Sequence, residues 1–265
     1  PYPARGEVSY TLGTASSLAP GAIRAAVNQS STDIGHYDFD LGGPLLPPGK
    51  RLVDLGDLVE RAEGEENRAG ILAATQAILS ARALPVMIGG DDSVPIPFLR
   101  AFAGPDPVDV LQIDAHIDWR DSLGGVRDGY SSTMRRASEL PFVRSITQVG
   151  MRGVGSARPE EVETALTWGA RLVTVREARA AGAAGLAQLL PDGGRLVIQV
   201  DADAFDPSVC PAVNAPTPGG CQLEEIADLL AAAIALKGLA GLSVVELVPG
   251  QDPYGLSANV VGRLI

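Results

Sequence analysis

Cysteine, histidine and aromatic residues are scarce in this sequence. Of its 265 residues only two are Cys and two are His, and aromatic residues make up 5%. Two cysteines, Cys210 and Cys221, are too few for a disulfide framework or a zinc knuckle, which favours a reducing compartment, the cytoplasm. Long apolar runs are also missing: none reaches the ~18 residues of a membrane-spanning helix, and no signal-peptide pattern opens the chain. We therefore expect a cytoplasmic protein with no membrane partner.

Basic residues are fewer than acidic ones. The 21 Lys and Arg residues against 32 Asp and Glu residues give a formal net charge of −11, which argues against nucleic acid as a partner and favours a small or cationic ligand. Apolar residues, at 46%, are enough for a full core, and we find neither repeats nor linkers. A single domain over residues 1–265 is expected, and because the chain starts at Pro1 we expect N-terminal residues to be missing.

From about residue 69 onward, strand-like and helical segments alternate. The strand-like runs are almost entirely apolar: PVMIGG, VDVLQI, SITQVGM, RLVTV, RLVIQV and GLSVVELV. Such runs are typical of strands buried on both faces of a sheet. The pattern predicts an α/β fold with three layers, α/β/α, around a mostly parallel central sheet. The first 65 residues are less regular, and only PGAIRAAV is predicted to be helical there.

Acidic residues follow directly after several of these strands. They come as Asp91 and Asp92, as Asp114 and Asp118 with His116 between them, as Asp201, Asp203 and Asp206, and as Glu246. Alternate side chains of an extended segment point to the same side, so Asp114, His116 and Asp118 can project together. Parallel strands present their carboxyl ends at one edge of the sheet, where ligands bind in such folds.

So many carboxylates in one cleft require cations, because like charges a few ångströms apart raise each other's pKa strongly. Two divalent ions bridged by shared aspartates satisfy this requirement, and oxygen donors with one imidazole suit Mn²⁺ better than Zn²⁺. The alternative, that acids at strand ends cap the following helices, is favoured for Asp91 and Asp206. For the D-x-H-x-D and D-x-D groups, metal binding is the preferred interpretation.

Seven segments, by their order and spacing, carry a resemblance to a known family. They are GGDDS (89–93), DAHID (114–118), RRASEL (135–140), QVGMRG (148–153), DADAFDP (201–207), PTPGG (216–220) and VVELVP (244–249). With them the chain resembles the ureohydrolases, the family of arginases and agmatinases, over nearly its whole length. The resemblance implies an arginase-like fold and a homo-oligomer, a trimer or a hexamer.

The resemblance also implies roles for individual residues. Members of the family hold two Mn²⁺ ions, and the matching ligands here are Asp114, His116, Asp118, Asp201 and Asp203, with Asp114 and Asp201 bridging the ions. A hydroxide between the ions attacks the guanidinium carbon of the substrate, and Asp118 by analogy orients it by accepting a hydrogen bond. Glu246 matches the glutamate that binds the guanidinium group, for which a planar carboxylate is suited.

Two departures from the family pattern affect the chemistry. Asp92 stands where the family usually has a metal-ligating histidine, and its similar reach predicts that it substitutes as a ligand. Its extra negative charge implies a less acidic water, activity at more alkaline pH and a preference for hard ions over zinc. A loop histidine that passes protons to the leaving amine has no counterpart in GYSSTM, and a lone histidine such as His36 is more often a surface or hydrogen-bonded residue. Slow turnover or an altered reaction is the expected consequence.

The loop DWRDSLGGVRDGYSS, residues 118–132, is expected to line the mouth of the cleft. Trp119 is expected to stack on the substrate, and Arg127 to bind the carboxylate of a guanidino acid. An equally weighted alternative is that Arg127 pairs with neighbouring aspartates such as Asp121. The predicted substrate contacts, besides Glu246, are Trp119, Arg127, Ser131 and Asn214.

Three functions remain open from the sequence. The leading one is a manganese-dependent amidinohydrolase that splits a small guanidino substrate into urea and an amine. The second is hydrolysis of another C–N bond, formimino or amide, on the same metal pair. The third is no enzyme, because the altered first motif and the missing proton shuttle also suit a protein that binds a ligand or serves as an assembly partner.

Overall fold

The computed structural model describes residues 15–30, 35–46, 48–61, 64–154 and 157–265. The helices are α1 (Ala19–Ser30), α2 (Gly64–Ser80), α3 (Pro95–Arg100), α4 (Thr133–Ser138), α5 (Pro159–Trp168), α6 (Val175–Ala187), α7 (Leu223–Lys237) and α8 (Leu256–Gly262). The strands are β1 (Tyr37–Asp38), β2 (Gly43–Pro44), β3 (Val86–Ile88), β4 (Val108–Ile113), β5 (Val143–Met151), β6 (Arg171–Thr174), β7 (Arg195–Asp201) and β8 (Gly241–Val245).

Six strands form a central sheet in the order β3-β8-β7-β4-β5-β6, and every pairing in it is parallel. The chain runs from β4 through β5 to β6 on one side and then returns to β7 and β8 on the other side of β4. The strand order therefore reverses between β4 and β7. Ligands of open α/β sheets bind beyond the carboxyl ends of the strands at such a reversal.

Helices cover both faces of this sheet, because side chains of each strand alternate between two apolar cores. Leu111 and Ile113 of β4 belong to one core, with helices α1, α6, α7 and α8. Val108 and Val110 of the same strand belong to the other core, with helices α2, α3, α4 and α5. The predicted three-layer α/β/α fold with a parallel sheet is confirmed.

The N-terminal part contains one feature that the sequence did not predict. The predicted helix over PGAIRAAV is present within α1, but the segment after it forms a short antiparallel hairpin of β1 and β2. Strands of two residues are too short to show an alternating pattern in a sequence. In the described part of the chain, no helix has the length and apolar character needed to cross a bilayer.

Candidate metal centre

The acidic residues predicted from the sequence meet at the carboxyl edge of the sheet. Asp114 follows β4, Asp201 ends β7, Glu246 follows β8, and Asp92 lies in the turn after β3. All four are buried. A close approach of β5 completes this edge, since Gly150 has φ = +119° and a Cβ there would lie 2.6 Å from the carbonyl oxygen of Asp114. Only glycine fits such a position.

Two groups of side chains have the geometry of cation sites. One contains Asp114, His116 and Asp203, and the other contains Asp92, Asp114 and Asp201; within each group the ligand atoms lie within 4.8 Å of one another. The imidazole Nδ1 of His116 lies 3.0 Å from Asp203 Oδ2 and 3.5 Å from Asp114 Oδ1. Because Asp114 belongs to both groups, two cations held there would share its carboxylate.

Asp118, the sixth predicted ligand, lies outside both groups but against them. Its charge raises the pKa values of Asp92 and Asp114, and the Nε2 of Gln112 donates to its Oδ2 at 2.8 Å. Its φ of +50° is unfavourable for a residue with a side chain, and such strain persists only where the surroundings enforce it. This backbone conformation places the Asp118 carboxylate where it could bind a metal ion or accept a hydrogen bond from a water molecule at the centre.

The electrostatics of the cluster favour bound cations. Burial first, and then the charges of neighbouring carboxylates, raise the pKa values of Asp92, Asp114 and Asp201 well above the ordinary range. Burial would lower the pKa of His116, but hydrogen bonds to Asp114 and Asp203 outweigh it and raise this pKa to about 12. A metal ion would replace that proton, since a ligating imidazole is neutral. The donor set, oxygens with one imidazole nitrogen, fits hard divalent ions such as Mn²⁺.

Glu246 lies directly beside the second group. Its Oε1 accepts the backbone N–H of Asp92 at 2.8 Å, and its Oε2 accepts the Nδ2 of Asn214 at 3.1 Å. Burial, followed by the charge of Asp91, raises the pKa of Glu246 to about 8. A guanidinium group at this carboxylate would stabilise its charged form. Asn214, predicted as a cleft wall, therefore contacts the residue predicted to bind guanidinium.

Three buried glutamines, which the sequence analysis missed, support the carboxylates. Gln199 of β7, Gln112 of β4 and Gln148 of β5 stand at neighbouring register positions across the sheet. Gln112 donates its Nε2 to Asp114 Oδ2 at 2.8 Å, and Gln199 donates its Nε2 to Asp92 Oδ1. Gln112 and Gln199 each stand between two apolar residues near the carboxyl end of their strands, and Gln148 stands between Thr147 and Val149. A polar residue in such a strand needs a buried partner, and this signal could have revealed them.

The prediction that Trp119 stacks on the substrate is wrong. Its side chain is only 2% exposed and packs in the core, with its ring 6.0 Å from that of Trp168. The indole Nε1 donates to Gln148 Oε1 at 2.6 Å, and the Nε2 of Gln148 donates to Gln112 Oε1. Because an indole can only donate, Gln148 must turn its oxygen to Trp119 and its NH₂ group to Gln112, and Gln112 in turn directs its own NH₂ group to Asp114. Trp119 thus supports the centre from within the core.

The expected contact of Arg127 with a substrate carboxylate is not supported. Its half-exposed guanidinium pairs with Asp121 at 3.3 Å and with Glu139 at 3.2 Å. Pairing with Asp121 is the alternative that the sequence left open. Because both partners belong to the same surface network, Arg127 is already neutralised without a ligand.

Ser131 and His36 lie in different environments. Ser131 is buried, and its hydroxyl has no hydrogen-bond partner among the described residues, so its predicted contact with a ligand stays a prediction. His36 is exposed, just before β1, whereas the residues of the centre are buried. The exposed position agrees with its interpretation as a surface residue.

A cavity of about 730 Å³ opens beside His116. Arg152, Arg176 and Arg179 line it, and the part of its lining that the structure describes contains no carboxylate. Arg152 donates to backbone carbonyls, including that of Asp203 at 2.7 Å, so no acidic side chain neutralises it in these contacts. Arg179 is paired with Glu225, whose Oε1 lies 2.8 Å from its Nε, so the positive charge at this space comes from Arg152 and Arg176.

The prediction that Asp91 and Asp206 cap the following helices is wrong: both side chains cap turns. Asp91 Oδ1 accepts the backbone N–H of Ser93 at 3.1 Å. Asp206 accepts from the backbone of Ser208 at 3.0 Å, and its Oδ2 accepts the N–H groups of Gly219 at 2.7 Å and of Gly220 at 3.1 Å. Asp206 thereby ties the PTPGG loop to the end of β7.

The Asp206→Asn variant should unfold at a lower temperature than the wild type. Hydrogen bonds from the Ser208 side chain and backbone, with those of the two glycines, lower the pKa of Asp206 from 3.8 to about 2. A lowered pKa means that the stabilisation is complete above pH 4 and disappears as the pH falls through the folded-state value. We expect a loss of roughly 1–2 kcal/mol at pH 7, which shrinks toward pH 2. Thermal unfolding of both proteins at several pH values checks this; a difference independent of pH would contradict it.

Comparisons with known proteins agree with this geometry. The chain matches the Arginase family model over residues 1–265. Proclavaminate amidinohydrolase of Streptomyces clavuligerus is 30% identical over 97% of this chain and 81% of the relative, and an agmatinase of Pyrococcus horikoshii is 28% identical over 97% and 85%. The solved structure of agmatine ureohydrolase of Thermoplasma volcanium superposes with a TM-score of 0.81 at 27% identity, covering 94% of this chain and 80% of that one. The chain belongs to the arginase family.

Proposed function

We propose that this protein is a metal-dependent amidinohydrolase, which cleaves a guanidino compound into urea and an amine. The observation that carries the proposal is the pair of cation groups that share Asp114, with the carboxylate of Glu246 beside them. Relatives named as amidinohydrolase and agmatinase, matched over most of their length, support the same class of reaction.

The residues of the centre divide the work of hydrolysis among them. Asp92, Asp114, His116, Asp118, Asp201 and Asp203 would hold two divalent ions, which we propose to be Mn²⁺. When bound, such a pair lowers the pKa of water and so supplies a nucleophile near neutral pH. Glu246 binds the guanidinium by charge-assisted hydrogen bonds, and Asp118 orients the attacking water by accepting its proton in a hydrogen bond. The water oxygen becomes the urea oxygen, the C–N bond breaks, and the amine leaves with a proton.

The cavity beside His116 favours a guanidino acid over agmatine as the substrate. A substrate whose guanidinium is bound by Glu246 needs space for its remaining chain, and we propose that the cavity lined by His116 receives that chain. Arg152 and Arg176 line this space without a carboxylate partner among the ion pairs of the described residues, so they attract an anionic end and repel the ammonium end of agmatine. Arg176 is exposed at the start of α6, so it is available to pair with a substrate carboxylate.

A panel of substrates tests the proposal. The purified protein, incubated with Mn²⁺, is assayed for urea release from agmatine, arginine and 4-guanidinobutanoate, and for formamide release from a formimino acid. We expect two Mn²⁺ per chain and a higher kcat/KM for 4-guanidinobutanoate than for agmatine. The Arg176→Gln variant should raise KM a few-fold for the guanidino acid alone, in line with ~0.2–1 kcal/mol for an exposed ion pair.

Each other outcome identifies a different error. Formamide from the formimino acid without urea from any guanidino compound would favour the alternative hydrolase. Two bound ions with agmatine as the preferred substrate would overturn only the assignment of the guanidino acid. A protein that binds no Mn²⁺ after incubation would exclude the proposed enzyme and leave a ligand-binding or assembly role.

A further inference from the structure

Every polar atom of Asp92 except one carboxylate oxygen has a hydrogen-bond partner. Its backbone N–H donates to Glu246 Oε1 at 2.8 Å, and its carbonyl oxygen accepts the hydroxyl of Thr133. Its Oδ1 accepts the Nε2 of Gln199, whereas its Oδ2 is buried and has no hydrogen-bond partner among the described residues. A buried carboxylate oxygen without a donor is costly unless a cation or a proton reaches it.

The side chain of Gln199 is buried and contacts the carboxylate of Asp92. It lies on β7, two residues before Asp201, so both side chains leave the strand on the same side. It is 1% exposed. An ionised carboxylate can only accept hydrogen bonds, so the amide nitrogen of Gln199 must face Asp92.

The donor is neutral, and that matters for a cation site. An arginine or lysine at position 199 would neutralise Asp92 and compete with a bound cation through its own charge. An amide orients the carboxylate while leaving its full charge for a metal ion. The other two acids of this group are held in the same manner: Asp114 Oδ2 accepts from Gln112 at 2.8 Å, and Asp201 Oδ1 accepts the backbone N–H of Asp203 at 2.7 Å.

We propose that Gln199 is a positioning residue for Asp92: it binds Oδ1 and thereby leaves Oδ2 as the ligand atom for the cation shared with Asp114 and Asp201. The inference rests on the proposed function, because it requires that this group binds a metal ion. It also gives a physical reason why aspartate serves at position 92. The short carboxylate needs a donor to fix its rotation, and β7, two strands away from β3, carries one.

The Gln199→Met variant tests this role, because methionine has a similar shape and no donor. Titration with Mn²⁺, followed by EPR, counts the ions and reports whether they are magnetically coupled as neighbours. We expect two coupled ions in the wild type. In the variant, the ion held by Asp114, His116 and Asp203 (the first ion) should remain bound. The affinity for the ion held by Asp92, Asp114 and Asp201 (the second ion) should fall roughly 10- to 100-fold, as is typical when a residue that positions a metal ligand is lost. Thr147→Val is the matched control, since it removes a buried hydroxyl of β5 that has no partner among the described residues.

A double-variant cycle separates positioning of Asp92 from a general effect on the sheet. Asp92→Asn by itself should also weaken the second ion, and adding Gln199→Met to it should change the affinity little further. Equal losses in both backgrounds, or two ions bound by Gln199→Met with wild-type affinity, would overturn the inference. If Gln199→Met does not fold, Gln199→Asn, whose amide is one methylene too short to reach Oδ1, is expected to show the same loss. A wild type that binds fewer than two ions would instead refute the proposed function.

Discussion

Replacement of Asp114 by Asn should abolish the binding of both cations and lower the rate of urea release at least about 1,000-fold. Asp114 is the residue common to the two cation groups, so one substitution weakens both sites. Asparagine keeps the size and one acceptor oxygen, but it removes the negative charge that both ions would share. Metal analysis of the dialysed protein and a urea assay measure the two effects.

Asp121→Asn is the control for that experiment. Asp121 is an exposed acid of the loop after the DAHID motif, and it pairs with Arg127, Arg135 and the buried Arg136, none of which belongs to the cation groups. Its variant should keep two ions and nearly all activity. If Asp114→Asn also retained two tightly bound ions, the shared-carboxylate arrangement would be refuted.

The second large effect is expected for Glu246→Gln. Loss of the carboxylate charge removes charge-assisted hydrogen bonds to the guanidinium group, each worth roughly 1.5–3 kcal/mol, so kcat/KM should fall roughly 100- to 1,000-fold. The fold should tolerate the change, because Gln Oε1 still accepts the N–H of Asp92 and the amide of Asn214 can turn over to accept from the new NH₂ group. Steady-state kinetics with the preferred guanidino compound measure the loss.

Metal content distinguishes this effect from damage to the centre. We expect Glu246→Gln to bind two ions like the wild type, because Glu246 lies outside both cation groups. Glu139→Gln, at a partly exposed acid on the same loop network as Arg127, should leave kcat/KM unchanged. A Glu246→Gln enzyme with kcat/KM within a few-fold of wild type would contradict the assignment of the guanidinium site.

The fold and the acidic cluster could be read from the sequence because both depend on local rules. Apolar runs that alternate with helices predict a buried parallel sheet, and parallel strands bring their carboxyl ends together. The residues that end β4, β7 and β8 therefore lie along one edge of the sheet, and they meet because these three strands are neighbours. That is why Asp114, Asp201 and Glu246 were placed correctly without coordinates.

Loop residues could not be placed in this way. The sequence predicted that Trp119 and Arg127 face the substrate, but Trp119 is in the core and Arg127 pairs with surface acids. A loop side chain can turn toward a cleft, a core or solvent at little local cost. Its direction is decided by contacts with residues distant in sequence, such as Trp168 for Trp119.

The sequence by itself determined the layered fold and the row of acids, since strand periodicity and motif order are properties of short segments. Only the tertiary structure decided which donors hold those acids. Gln199 and Asp92 are separated by 107 positions, yet the pairing of β3, β8 and β7 within one sheet brings them into contact. The reason is physical: a strand pattern fixes which side a residue faces, whereas the partner that it meets there depends on strand order and register.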